Sequence, residues 1–489
     1  MLFQRVSRGV VTIASGSWTK VTCKCCFTDA VRPLLVIELN KEVRLETKQW
    51  IISKIEAPSN KQGKRTLLLQ GLSYWLTLAR NDDGDMILVA APTCTLLRNA
   101  EAMGLSKPYR DGTMLAFSYP DRASFKNADN IEELLTLAEQ QYIAKNELDD
   151  LKAGTNESIP GCSKDKGSLY PGEPIFQKLE KSRIVKTMYP LHDKEKLSAF
   201  SKQWYSQFSS WELPLDYIHS YFGGPVAFYF SFLGFYTVSL LLPAVLGAVL
   251  YFLPWHSLNG HVLLAIFNVV WSTVFLELWK RRSAELAYGW GTLLLNSTFE
   301  EPRPNYRGTM GHNPVTKRWE PYFPSAERKR RIWFVSTPVG LFAEYIELFV
   351  QFGYLSLFSC VYPLTAALLF LNNVTEIRTD ALKFCKLFRK PFVAPAANIG
   401  IWQTAFEALG FVSVISNCWL ILISPQVKGY CQENGVSFRN ALLCTIALEH
   451  VLIILKVVIA FVIPDLPKWV RIKVAQLEFR SRQALKTVA

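Results

Sequence analysis

Sixty consecutive residues between Asp216 and Glu277 contain no Asp, Glu, Lys or Arg. A run of that length has room for two membrane crossings of roughly 20 residues each, and a water-soluble fold has little use for it. The segment PWHSLNGH divides it, so the expected spans are residues 226–253 and 262–279. The second ends in Lys280, Arg281 and Arg282, which mark the cytoplasmic side. From Lys280 to Arg331 there are 11 Lys or Arg against five Glu, so this loop belongs on the same side. Two more apolar runs follow, residues 408–427 and 440–464.

The net charge of +13 does not point to nucleic acid, because the positive residues gather beside the apolar runs, where cytoplasmic loops carry them. Among ten cysteines, Cys23, Cys25 and Cys26 cluster without a second pair or a nearby His, which argues against zinc. Cys360, Cys418 and Cys444 sit inside apolar runs as small buried residues, so no disulfide framework is implied.

Ahead of the membrane, residues 32–152 alternate extended and helical patterns, from LLVIEL to IEELLTLAEQQYIAKNELDDL. That order predicts a cytosolic α+β domain, ferredoxin-like, with helices on one face of a sheet. Residues 1–31 are unassigned, and VVTIA there is too short for a signal-peptide core, so a cytosolic start is expected. Residues 153–215, dense in Gly, Pro and Ser at first, read as a linker and pre-membrane segment. The first membrane hairpin then covers 216–282, a basic cytosolic loop 283–331, further membrane helices 332–465 and a basic C-terminal helix 466–489.

Two acidic pairs flank the 28 uncharged residues from Leu348 to Thr375: Glu344 with Glu347, and Glu376 with Asp380. Spacings of three and four put each pair on one helix face. One straight helix would hold the pairs about 43 Å apart, more than the bilayer's hydrocarbon core of about 30 Å. Pro363 lies near the midpoint and predicts a break. A hairpin there returns both pairs to within roughly 5 Å of one depth on adjacent helices. Four carboxylates so placed would be protonated or would hold a cation, and hard oxygen ligands suit calcium better than zinc. The plainer alternative is two acids ending a helix at the interface, solvated with Arg378 and Lys383.

EYIELFVQFGYLSLFSCVYPLTAALLFLNNVTEIRTDALKF, with WSTVFLELWKRRSAELAYGWGT, EEPRPNYRG and VIPDLP, resembles the anoctamin family. The likeness covers nearly all of the chain after Arg32. It implies a mainly α, multi-pass, homodimeric membrane protein acting as a calcium-activated phospholipid scramblase or chloride channel. It also implies Glu344, Glu347, Glu376 and Asp380 as calcium ligands, and a further calcium position at Glu277 and Asp465. An endoplasmic-reticulum or plasma-membrane location follows, with both termini cytosolic.

The departure is as informative as the match. In the family four helices separate RRIWFVS from EYxEL, whereas here IWFVSTPVGLF runs directly into AEYIELF. Most of the third through the sixth family helix is absent, leaving about six transmembrane helices. A second reading is therefore a shortened, non-transporting chain acting as a membrane interaction or regulatory subunit, associating with full-length relatives.

Glu449 and Lys456, seven apart in the last run, share a face and read as a structural pair, and His450 as a hydrogen-bonded helix residue. The tail from Lys468 fits either anionic lipid or packing on the N-terminal domain. Without GxSxG, HExxH or a phosphate-cradling Gly-rich loop, no enzyme is indicated.

Overall fold

The computed structural model describes residues 12–13, 33–56, 68–69, 86–154, 157–162, 167–205, 213–252, 258–293, 309–312, 319–322, 341–358, 362–387, 389–392 and 395–488. The Cys23–Cys26 region, residues 332–340 and most of the basic loop lie outside these.

The N-terminal unit is built on a four-stranded antiparallel sheet. Its strands are β1 (Pro33–Leu39), β2 (Leu68–Leu69), β3 (Met86–Ala90) and β4 (Val185–Pro190), in the spatial order β2-β3-β1-β4. Helix α1 (Leu45–Glu56) connects β1 to β2, while α2 (Thr93–Ala102) and α3 (Leu137–Asp149) lie between β3 and β4. The first and third strands are therefore central, the arrangement of a ferredoxin-like split βαβ unit. Strand β4 comes from the segment that reads as a pre-membrane linker, so the sheet is closed from beyond residue 152.

Each strand turns alternate side chains to opposite faces. Leu35, Ile37, Ile87 and Val89 join the helices in the main core, whereas Val36, Leu88 and Leu191 form a small cluster on the other face. Thr136 and Glu139 cap α3 reciprocally, and the Gln141 amide donates to the carbonyls of Leu34 (3.2 Å) and Leu191 (2.8 Å). One buried glutamine thus fastens the helix to the sheet.

The second face also carries Glu38, 6% exposed. It accepts from Thr187 (2.8 Å), Tyr189 (2.9 Å) and both guanidinium arms of Arg389 (3.1 and 3.4 Å). The Arg389 guanidinium also lies 4.3 Å from the Tyr189 ring centre. The chain just past the α10–α11 hairpin is therefore clamped to the N-terminal sheet by a fork that lysine could not reproduce. Arg389→Met leaves the Glu38 charge without its counter-ion and is expected to destabilise the sheet by about 2 kcal/mol. Faster limited proteolysis of the N-terminal unit, with the membrane part still folded, is the readout.

Helix α4 (Ile175–Lys181) precedes β4, and α5 (Lys194–Tyr205) and α6 (Leu215–Phe222) lead to the membrane. His219 on α6 stacks on Trp290, ring centres 4.4 Å apart and planes at 11°. Burial, against the opposing pull of Glu139, holds its imidazole down at about 4. The unfolded chain therefore takes up a proton between about pH 6.5 and 4 that the folded chain refuses, and stability contributed by neutral His219 is lost as pH falls through that window. His219→Phe keeps the stack, so the variant's Tm is expected to drop less than the parent's between about pH 7.5 and about pH 5.

The first apolar run forms α7 (Gly224–Ser239) and α8 (Leu241–Phe252), broken at Leu240 because Pro243 has no N–H to give the Ser239 carbonyl. The Trp271 indole donates to that carbonyl instead, at 3.1 Å. Trp271 belongs to α9 (Leu258–Gly289), which continues ten residues beyond the expected end at Trp279 on the helix-forming sequence KRRSAELAYG. Next come α10 (Phe342–Phe358), α11 (Thr365–Leu382), α12 (Ile401–Ile423), α13 (Phe438–Val462) and α14 (Lys468–Val488). Among the described residues, four helical segments are long and apolar enough to cross a membrane: Gly224–Phe252, Val262–Gly289, Ile401–Ile423 and Phe438–Val462. Helices α10 and α11, of 17 and 18 residues, fall outside this set, α11 because it carries Glu376, Arg378 and Asp380. The expected count of six is thus not reached by length and composition alone.

Gly247 on α8 faces the α10–α11 turn so closely that a Cβ there would overlap the Pro363 carbonyl oxygen. Helix α14 reaches the N-terminal unit through Arg480 and Asp111, 2.6 Å apart, while Trp469 meets Tyr288 edge to face. Of the two readings of the tail, packing on the N-terminal unit is the one its contacts favour. His450 is exposed and bonds the Ile446 carbonyl, an ordinary helix contact.

Candidate divalent-cation centre

Helix α10 ends at Phe358 and α11 starts at Thr365, with Pro363 and Leu364 in the turn between them. The two acidic pairs therefore approach each other on antiparallel helices. Glu344, Glu347 and Glu376 each bring one carboxylate oxygen to within 4.8 Å of the others. Two oxygens on opposite sides of a calcium ion at about 2.4 Å would themselves be about 4.8 Å apart, so the three lie within the span of one ion's ligand shell.

Uncharged residues complete the ring. Glu376 is 7% exposed and accepts from the Gln351 amide (3.1 Å) and the Asn372 amide (3.2 Å), while its Oε1 has no hydrogen-bond partner among the described residues. Gln351 Oε1 and both side-chain polar atoms of Asn373 are likewise buried and unpartnered among the described residues. Buried polar atoms are rarely left so, and these are oxygen-rich, the donor set a hard cation takes. Sequence reasoning missed Gln351, Asn372 and Asn373, although Gln351 lies one turn from Glu347 and Asn372 one turn from Glu376.

Asp380 stands apart from the three. It is fully buried and accepts from the Tyr229 hydroxyl and the Lys383 ammonium, both at 2.5 Å. Lys383 also approaches Glu344 at 3.9 Å, so its ammonium joins Asp380 to the rim of the cluster. Immediately after α11 the chain makes a π-turn, Lys383–Leu387, and then reaches Arg389, which bonds Glu38 of the N-terminal sheet. Glu376 of the centre and Arg389, which grips the N-terminal unit, are thus 13 residues apart along the backbone.

The second pair of candidates is not similarly assembled. Glu277 is 5% exposed and paired with Lys280 at 3.1 Å, whose ammonium also holds Glu407 at 3.0 Å. Asp465 is exposed beyond the end of α13. Lys456 does not pair with Glu449; it turns inward to the Thr273 hydroxyl at 3.3 Å.

The anoctamin family profile, described as calcium-activated chloride channel, matches residues 218–343 and 337–477. Anoctamin-10 of Homo sapiens is 33% identical over 626 residues, covering 93% of this chain and 94% of that protein. The chain belongs to the anoctamin family. Anoctamin-10 of Danio rerio is also 33% identical, and anoctamin-8 of Mus musculus is 36% identical over 261 residues, 52% of this chain. The alignment with the human anoctamin extends over 626 positions, 137 more than the 489 residues here, so at least that many have no counterpart in this chain. The two profile matches meet at residues 337–343, directly ahead of Glu344.

Proposed function

We propose that this anoctamin is a calcium-regulated transport protein of an internal membrane, a phospholipid scramblase or chloride channel, with α10 and α11 as its sensing hairpin. The convergence of Glu344, Glu347 and Glu376 within 4.8 Å, in a family described as calcium-activated, is the observation that carries this reading. Those three residues would hold the ion, with Gln351 and Asn373 supplying neutral oxygens and Asp380 the adjacent charge. Bound calcium would neutralise the acids and draw the two helices together. Because α11 continues through the π-turn to Arg389, a shift of α11 would pull on the cytosolic sheet. The finer expectations go with this reading: six spans counting α10 and α11, cytosolic termini, an endoplasmic-reticulum or plasma-membrane location, and a homodimer.

The stretch of more than 137 alignment positions without a counterpart favours a second reading. Family helices three to six normally line the lipid or anion groove, and the sixth adds an Asn and a Glu to the calcium site. Their absence here would leave a calcium-binding, non-transporting subunit that pairs with full-length anoctamins. Exposure of Glu347 fits an open flank on the side where those helices would pack.

Purified chain reconstituted in liposomes separates the two. Calcium-dependent scrambling of fluorescent phospholipid, or calcium-dependent chloride efflux, above empty vesicles supports transport. Calcium binding without either flux supports the subunit, and the absence of calcium binding ends both.

A further inference from the structure

A second charged site lies between α9, α12 and α13, independent of the hairpin acids. It is a cavity of about 180 Å³ whose lining includes Thr273, Glu277, Lys280, Glu407, Lys456 and Phe461. At about 30 Å³ per water its volume is that of about six waters, room enough for a small polar headgroup.

Its polar atoms are incompletely bonded. Lys280 takes one oxygen from each of Glu277 and Glu407. Among the described residues that leaves Glu277 Oε2 buried with no hydrogen-bond partner and the Lys456 ammonium, 5% exposed, bonded to the Thr273 hydroxyl and 5.0 Å from the Phe411 ring. No ion pair joins Lys456 to Glu277 or Glu407. Buried polar atoms are rarely left unbonded, so an ammonium without a carboxylate contact and an unbonded carboxylate oxygen facing one cavity describe the ligand they lack. An anion alone would leave Glu277 Oε2 unbonded, and a cation alone would leave the Lys456 ammonium with no acceptor beyond Thr273. A zwitterion carrying a phosphate and a primary ammonium satisfies both.

Two further observations favour a lipid as its source. Phe461, on the cavity wall, is 86% exposed, and Ile454 and Val458 on the same helix are 62% and 48% exposed, an apolar track for acyl chains beside the polar pocket. The pocket also lies at the level of Lys280, where the basic cytoplasmic segment begins, the depth of the inner-leaflet headgroups. Gly410 on α12 provides the notch: a Cβ there would come 2.7 Å from Lys456 Nζ.

We propose that this cavity binds the headgroup of an aminophospholipid from the cytoplasmic leaflet, phosphate on Lys456 and Thr273, ammonium on Glu277. Full-length chain, incubated in mild detergent and EGTA with equal phosphatidylethanolamine and phosphatidylcholine, is read by native mass spectrometry. The parent is expected to retain phosphatidylethanolamine preferentially. Lys456→Met should lower retention of both lipids by about tenfold, and Glu277→Gln should remove the preference between them. Gly410→Ala crowds the flexible end of Lys456 and meets Leu276 at an ordinary 3.7 Å, so it should fold normally and still lose retention by displacing the ammonium. Unchanged retention in both Lys456→Met and Gly410→Ala, each monodisperse by size exclusion, overturns the proposal. Displacement of the lipid by inorganic phosphate would assign the site to a soluble anion and overturn it equally. EGTA removes any calcium contribution at Glu277, so failure here is distinct from failure of the hairpin reading.

Discussion

Glu376→Gln is expected to abolish calcium-dependent stabilisation while making the calcium-free protein more stable. Without an ion, Glu376 is buried beside Glu344 and Glu347, and replacing one of three crowded carboxylates with an amide relieves repulsion and desolvation together. With an ion the sign reverses, because the substitution removes a charged ligand. At calcium about 100 times its Kd, a site formed only in the folded state adds about 2.7 kcal/mol, and all of it should vanish in the variant. Thermal unfolding in detergent, run with EGTA and with calcium, reads both halves. A variant that keeps the parent's calcium shift would remove Glu376 from the ligand set. The opposed signs matter because a merely structural glutamate, bonded to Gln351 and Asn372, would lose stability in both conditions.

Gly247→Val is expected to have the largest cost of any single substitution outside the acids. The Cβ would enter the space of a backbone oxygen at Pro363, which has no side-chain rotation by which to yield. Overpacking in a well-filled interior costs about 1–3 kcal/mol, and a backbone clash belongs at or beyond the upper end. The consequence reaches the cation centre, because moving the turn tilts α10 against α11 and separates Glu347 from Glu376. A lowered Tm together with calcium affinity weakened by about tenfold or more is the expected pair of results. A lowered Tm with unchanged affinity would mean that the turn and the acids move independently.

The parts that were legible in the sequence were those governed by one-dimensional physics. A long uncharged run with a basic end marks a membrane helix, and the first crossing falls at Gly224–Phe252 against an expected 226–253. Pro363 in an over-long apolar run foretold the return of the chain, and that return alone fixes which acids meet. Length and composition do not confirm six spans, because the sequence count took the apolar stretch before Phe342 and the charged end of α11 as whole crossings. Contacts between distant residues were not readable. Tyr229 meets Asp380 across 151 residues, and Arg389 meets Glu38 across 351, with nothing local to announce either. Gln351, Asn372 and Asn373 escaped because an uncharged amide in an apolar run resembles any tolerated polar residue until its partner is known. Strand β4, VKTMYP, was hidden by a sequence without clean alternation behind a stretch dense in glycine and proline.

The hydrogen bond from Trp271 to the Ser239 carbonyl bears on how the protein is made. A proline-freed carbonyl facing hydrocarbon costs several kcal/mol, and the donor that satisfies it here belongs to the second crossing. Until the second crossing arrives, the nascent first crossing is an unfinished element, better held at the translocon than released. The pair therefore partitions into lipid as one unit, and a ribosome paused between them would leave a chain that the quality-control machinery of the membrane can recognise.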